Sequence, residues 1–268
     1  IVTADVNSAR ISVFINDGDG TFATAVSYTT NTGPMGVSSA DYDQDGYVDI
    51  AVAVFSSTKM SIFINDGDGT FDTARVDYTT GSSPSSSSSG DFNGDGYPDV
   101  AITNSSSASV SIFINDGDGT FATKVDYTID SSPTGSVAID LTGDGIIDIA
   151  TANEGSGDSV SVLVGNGDGT FQARTDYTTG NNPYGVAAAD FNENGVNDLV
   201  AGNFSSNTAS VFLNNLTSTF FAGPSGNVGI GTSTPVSTLS IQGSLCVRST
   251  GSCGTAAGTI YATTASIS

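Results

Sequence analysis

Apolar residues in this chain come in short alternating runs, of which Ser-Ile-Phe-Ile-Asn at positions 61–65 is typical, each bounded by Asn, Asp, Gly or Pro. Alternation with period two, rich in β-branched and aromatic residues, is the mark of strands with one face more buried than the other. In the stretch after Gly33 the pattern predicts strands at residues 36–42, 48–55, 59–65 and 70–78, and no helix. The Asp-Gly pairs between them predict tight turns at positive φ.

The pattern repeats. SVFINDGDGTF at residues 12–22 returns as SIFINDGDGTF at 61–71 and 111–121 and as SVLVGNGDGTF at 161–171, with a degenerate copy, SVFLNNLTSTF, at 210–220. Between the copies lies a second phrase: ADYDQDGYVDIAVA from Ala40, GDFNGDGYPDVAIT from Gly90, IDLTGDGIIDIATA from Ile139 and ADFNENGVNDLVAG from Ala189. A period of about 50 residues with four strands each is that of propeller blades. The fold expected is therefore all-β: a β-propeller of about five four-stranded blades over residues 1–221, then a small β tail over 222–268. Small residues fill the first strand of each unit, as the crowded axis of a propeller requires, and the serine run at 85–89 falls in that same register. The chain opens on a second-type strand, so the first unit lacks its inner strand and four units are complete. Residues 223–232, GPSGNVGIGT, resemble the start of an inner strand and are expected to fill the vacancy, in their own ring or in a second copy.

The second phrase carries the chemistry. Its spacing, D-x-[DNT]-x-[DN]-G-x-x-D, occurs four times. Calcium takes six to eight oxygens at about 2.3–2.6 Å, and alternate side chains of a tight loop converge while glycine allows the turn. The expected ligands are Asp41, Asp43, Asp45 and Asp49 with the Tyr47 carbonyl; Asp91, Asn93, Asp95 and Asp99 with Tyr97; Asp140, Thr142, Asp144 and Asp148 with Ile146; and Asp190, Asn192, Asn194 and Asp198 with Val196. Four carboxylates make the first loop the tightest expected site, and two make the fourth the weakest. The competing reading is an Asx-rich turn without metal, which is also the expected role of NDGDG.

Charge narrows the partners. With 28 acidic residues against 6 basic, a net charge of −22 leaves no basic face for nucleic acid or an anionic membrane. Only Glu154 and Glu193 are glutamates; the rest are aspartates, which suit turns and hard cations. Up to four Ca²⁺ would offset about eight of those charges. There is no histidine, and the two cysteines, Cys246 and Cys253, are close enough in sequence to form a local disulfide, which implies an oxidising, extracellular or cell-surface setting. No apolar span long enough to cross a membrane occurs. Sequons stand at Asn104, Asn203 and Asn215.

On these residues the units resemble the FG-GAP or VCBS-type repeats of integrin-α-like β-propellers, in which such a loop joins the first two strands. Thr142 and Asn194 depart from that pattern, and the blade count is below the seven common in the family. The resemblance implies an adhesive or structural role at cell surfaces. GNVGIGTSTPVSTLSIQGSL from Gly226 resembles segments of phage tail-fibre and bacterial surface-fibre proteins. Without histidine or an activated serine, catalysis is not expected. Two non-enzymatic classes remain: a self-associating fibre subunit, or a lectin-like adhesin or phage receptor-binding protein reading surface glycans. The tyrosines recurring once per unit, Tyr28, Tyr78, Tyr127 and Tyr177, belong either to glycan contacts or to packing between blades.

Overall fold

A computed structural model describes residues 1–71 and 75–215 in full and the backbone of three short strands beyond them. Blade 1 consists of β1 (Val2–Asp5), β2 (Arg10–Val13) and β3 (Val26–Thr29), with a 3-10 turn at Val6–Ser8. Blade 2 is β4 (Pro34–Ala40), β5 (Asp49–Val54), β6 (Lys59–Phe63) and β7 (Val76–Thr79); blade 3 is β8 (Pro84–Gly90), β9 (Asp99–Asn104), β10 (Ser109–Phe113) and β11 (Val125–Thr128). Blade 4 follows as β12 (Pro133–Ile139), β13 (Asp148–Asn153), β14 (Ser159–Leu163) and β15 (Thr175–Thr178). Blade 5 has β16 (Pro183–Ala189), β17 (Asp198–Asn203) and β18 (Thr208–Phe212). Each sheet is an antiparallel meander in chain order. This is the β-propeller architecture the repeat predicts, and the serine run is a strand, β8.

Two boundaries differ from the sequence pattern. The inner strand of blade 2 ends at Ala40 and not at residue 42, because the Tyr42 N–H leaves the ladder to donate to the Asp49 carboxylate at 2.8 Å. The fourth strand is split: Phe121 makes one bridge to Asn115, and regular pairing resumes only at Val125–Thr128 after the turn has closed. The three-stranded blade 1 agrees with the missing inner strand. The fourth strand of the last unit, and with it the count of four complete units, lies outside the described residues. Within 223–232, β20 (Val228–Ile230) pairs with β19 (Phe221–Ala222) and β21 (Leu239–Ile241) in a separate small sheet, and not with β1. Completion of blade 1 by this strand within its own chain is therefore not what the structure has. Cys246 and Cys253 also lie outside the described residues.

The core sits between blades. Alternate residues of each strand face the preceding and the following blade, so Ile11, Val13 and Tyr28 of blade 1 pack with Ile50, Val52, Phe63 and Phe71 of blade 2. Tyr42, Ala51, Met60 and Ile62 on the other face of blade 2 meet Val100, Ile102, Phe113 and Phe121 of blade 3, and the scheme continues to blades 4 and 5. The recurring tyrosines belong to these seams. Tyr28, Tyr78 and Tyr127 lie edge-on to Phe71, Phe121 and Phe171 of the next blade, with centroids 5.4–5.5 Å apart. Each phenol oxygen also accepts the N–H of that phenylalanine at 3.2–3.3 Å. Tyr177 is instead tilted against Phe212 and half exposed.

At the axis the inner strands are joined by hydroxyls: Ser38 with Ser87 at 2.6 Å, and Ser88 with Ser136 at 2.7 Å. At the rim, Ser61, Ser111 and Ser161 donate to Asp77, Asp126 and Asp176, which also pair with Arg75, Lys124 and Arg174. Charges on these outer strands guard the sheet edges against further pairing. Among the described residues no helix is long and apolar enough to cross a membrane.

Candidate metal loops

The four Asx-rich loops all join the inner strand to the second strand of blades 2–5, on one rim of the propeller. Their shape is set by left-handed residues at the fourth and sixth positions: Gln44 and Gly46, Gly94 and Gly96, Gly143 and Gly145, Glu193 and Gly195. The first-position aspartate then caps the turn, as Asp41 Oδ2 does by accepting the Gly46 N–H at 3.0 Å and Asp91, Asp140 and Asp190 do in their own loops.

The ninth position has a part that the motif alone does not reveal. Asp49 is fully buried; its Oδ2 accepts the Tyr42 N–H and its Oδ1 the Asn65 N–H, both at 2.8 Å. Asp99, Asp148 and Asp198 make the same pair of bonds, to Phe92 and Asn115, Leu141 and Gly165, and Phe191 and Asn214. One carboxylate thus ties the loop to the end of the third strand in each of blades 2–5, with charge-assisted bonds that are stronger than neutral ones. Its only signal in the sequence is an acid at the first residue of an otherwise apolar strand. Burial pushes the Asp49 carboxyl up to about 6 against the pull of those two bonds, and the Asp43 and Asp45 charges push the same way. Burial likewise carries Asp99 to about 6 and raises Asp148.

The first loop gathers its acids most closely. Carboxylate oxygens of Asp41, Asp43 and Asp49 lie within 4.8 Å of one another, and no other such trio of acidic, histidine or cysteine side chains occurs among the described residues. Asp41 Oδ1 is buried without a hydrogen-bond partner, and so is Thr142 Oγ1 at the third position of loop three. Unpaired buried oxygens at two expected ligand positions, beside mutually repelling carboxylates, fit a hard cation with oxygen preference. Asp45 stands outside the trio; it is exposed and bonds the Tyr47 N–H at 2.9 Å. In loop two, Asn93 Nδ2 donates to Asp95 Oδ2, and Asp91, Asp95 and Asp99 do not converge as the first trio does. In loop four Asn194 Nδ2 donates to the Asn214 carbonyl at 2.7 Å and Asn192 Nδ2 reaches Asp198 Oδ1 at 3.5 Å.

The NDGDG segments are turns. Asn65 Oδ1 accepts the Gly67 N–H, and Asp68 Oδ1 accepts both the N–H and the hydroxyl of Thr70. The Thr hydroxyl bond, the largest influence, holds Asp19, Asp68, Asp118 and Asp168 below the usual carboxylate range. These turns also brace the metal loop of the preceding blade. Asn115 Nδ2 donates to the Tyr42 carbonyl at 2.8 Å, the Gly169 N–H to the Phe92 carbonyl at 3.0 Å, and Asn214 Nδ2 to the Leu141 carbonyl. Gln44 Nε2 and Asn197 Nδ2 link one loop directly to the next, at the Gly96 and Asp140 carbonyls. The loops therefore form a hydrogen-bonded chain along the rim. Of the sequons, Asn104 and Asn203 are buried and bonded to Ser111 and Ser210, which closes them to glycosylation in the folded state; Asn215 is exposed.

Solved structures with this architecture include a proposed 6-phosphogluconolactonase from Bacteroides uniformis, with a TM-score of 0.61 at 21% identity over 81% of this chain and 66% of that one. A functionally unknown protein from Desulfotomaculum acetoxidans has a TM-score of 0.56 at 15% identity, over 80% and 65%. Virginiamycin B lyase from Staphylococcus aureus has a TM-score of 0.50 at 15% identity, over 82% and 68%. At these identities the likeness is one of fold, and the chain spans about two thirds of the length of the first two. No curated relative matches the chain. The FG-GAP-like repeat model matches residues 1–52, 41–102, 91–151 and 140–201, and each match ends just past one of the Asx-rich loops. The chain belongs to the FG-GAP-like repeat family.

Proposed function

We propose that this propeller is a non-enzymatic, calcium-stapled structural protein of the cell exterior, a subunit that self-associates into a surface fibre. The observation that carries the calcium reading is the first loop, where three carboxylates crowd together and the buried Asp41 Oδ1 lacks a donor. A divalent cation there would relieve repulsion inside a chain of net charge −22 and hold together loops that are already linked from blade to blade. Asp41, Asp43 and Asp49 would hold the first ion, with Asp45 and the Tyr47 carbonyl completing its sphere; the homologous sets in the other loops would hold weaker ones. The self-association part of the reading rests on the fibre-like sequence of the tail from Gly226.

A glycan-reading role has less support, since Tyr28, Tyr78 and Tyr127 spend both ring and hydroxyl on the next blade. Electron microscopy of the full chain in millimolar calcium, beside a sample in excess EGTA, tests the fibre reading. Filaments with a regular repeat in calcium support it, and isolated particles in both conditions overturn it.

A further inference from the structure

The four metal loops are not evenly linked. Asn115, just past the third strand of blade 3, is 2% exposed and holds both of the first two loops. Its N–H donates to Asp99 Oδ1 of loop two at 2.8 Å. Its Nδ2 donates to the Pro98 carbonyl of loop two at 3.0 Å and to the Tyr42 carbonyl of loop one at 2.8 Å. Gln44 of loop one adds its bond to the Gly96 carbonyl of loop two. Asn214 stands in the same register for the last two loops: its N–H donates to Asp198 of loop four, and its Nδ2 to the Asn197 carbonyl of loop four and the Leu141 carbonyl of loop three. Asn197 of loop four adds a bond to the Asp140 carbonyl of loop three. Between loops two and three that register holds Gly165, which has no side-chain amide to donate, and a Cβ there would lie 2.5 Å from the Ile147 carbonyl oxygen. Among the described residues, what reaches loop two from blade 4 is a backbone bond, from the Gly169 N–H to the Phe92 carbonyl at 3.0 Å.

One amide therefore spans each pair. Tyr42 lies between Asp41 and Asp43, and Pro98 lies beside Asp99. An ion that fixes Asp99 and its neighbour also fixes the amide that holds the backbone between two ligands of loop one. Ordering done by the first ion need not be repeated for the second, which makes the two bind cooperatively. From this arrangement we infer that the calcium loops act as two coupled pairs, loops one and two through Asn115 and loops three and four through Asn214, with Gly165 interrupting the coupling between the pairs. The inference rests on the calcium reading and adds to it which sites cooperate. Asn115 and Asn214 are positioning residues: they donate to the backbone and carboxylates of the loops and have no place in the expected ligand sets.

Calorimetric titration of calcium into the decalcified full chain tests it, at physiological salt, where exposed charges more than about 8 Å apart are largely screened. The tightest event is expected at loop one. Asp91→Asn with Asp95→Asn silences loop two and is expected to weaken that event about fivefold or more. Asp140→Asn with Asp144→Asn silences loop three and is expected to remove a weaker event of its own while the tightest one keeps its affinity. In an Asn115→Ala background, silencing loop two is expected to have no further effect on loop one. That variant removes a buried amide, so its folding is checked by its melt in EGTA, and the two loop-silenced variants carry the test without it. A tightest event unmoved by silencing loop two overturns the coupling and leaves the calcium reading standing. Equal weakening from loops two and three overturns the division into pairs, and the full effect persisting in Asn115→Ala overturns the assignment to that amide. An unaltered chain that takes up no calcium overturns the calcium reading itself, and the coupling with it.

Discussion

The first and fourth metal loops share a backbone and differ in what their side chains lack. In loop one, positions 1, 3, 5 and 9 are all aspartate, groups that accept hydrogen bonds and donate none when ionised, and Asp41 Oδ1 remains unpaired inside the protein. In loop four, positions 3 and 5 are asparagines, and the amide of Asn194 supplies a donor to the Asn214 carbonyl while that of Asn192 leans toward Asp198. The fourth loop satisfies itself internally. The first leaves Asp41 Oδ1 without a hydrogen-bond partner. The same motif can thus serve as a metal staple or as a self-sufficient turn, depending on whether the variable positions bring their own N–H groups.

The largest effect expected is at a position where the two loops agree. Asp49→Asn replaces a buried carboxylate that holds two backbone N–H groups, one on each oxygen, with a side chain offering only one acceptor. Loss of about 2–4 kcal/mol is expected whether or not calcium is present, read by urea denaturation with and without EGTA. A loss seen only in calcium would mean that Asp49 serves the ion alone and does not also brace the loop without it.

Next comes pH. Burial raises the Asp49 and Asp99 carboxyls to about 6 in the folded protein, above the value near 3.8 expected when unfolded. A group raised on folding favours the protonated native state, so its contribution to stability is complete below about 4 and is lost as pH rises through about 6. In EGTA the melting temperature should therefore fall between pH 4 and 7. In calcium the fall should be smaller or reversed, because a cation stabilises the ionised carboxylates. A parallel decline in both conditions would disconnect these groups from metal.

The smallest change converts one loop toward the other. Asn194→Asp removes the donor to Asn214 and adds a carboxylate, so the chelated protein is expected to lose about 1 kcal/mol while loop four gains affinity for calcium, read as an added event in calorimetric titration.

Much of this comparison was legible in the sequence. Alternation and Asp-Gly turns located the strands, and the 50-residue register placed even Ser85–Ser89 in a strand despite its lack of apolar residues. The four Asx-rich loops were legible as spacing. What spacing did not reveal was the division of labour within them: Asp49 and its counterparts spend both oxygens on backbone groups up to 17 residues away, a contact that exists only once the third strand has folded back. Nor did it reveal that Asn115 and Asn214 serve the loop of the preceding blade, since those bonds span 73 residues. Short-range pattern specifies a turn; which neighbour uses its spare N–H is decided by how blades stack.

The central claim is that the first loop holds calcium and that this ion stabilises the propeller. Thermal melting of the unaltered chain and of the Asp41→Asn, Asp43→Asn double variant, each in millimolar calcium and in excess EGTA, tests it most directly. Binding at a thousand times the dissociation constant adds about 4 kcal/mol, which for a domain of this size is a rise of roughly 8–16 °C. The account predicts a rise of that order for the unaltered chain, most of it lost in the double variant. Equal melting temperatures of the unaltered chain in calcium and in EGTA would contradict it.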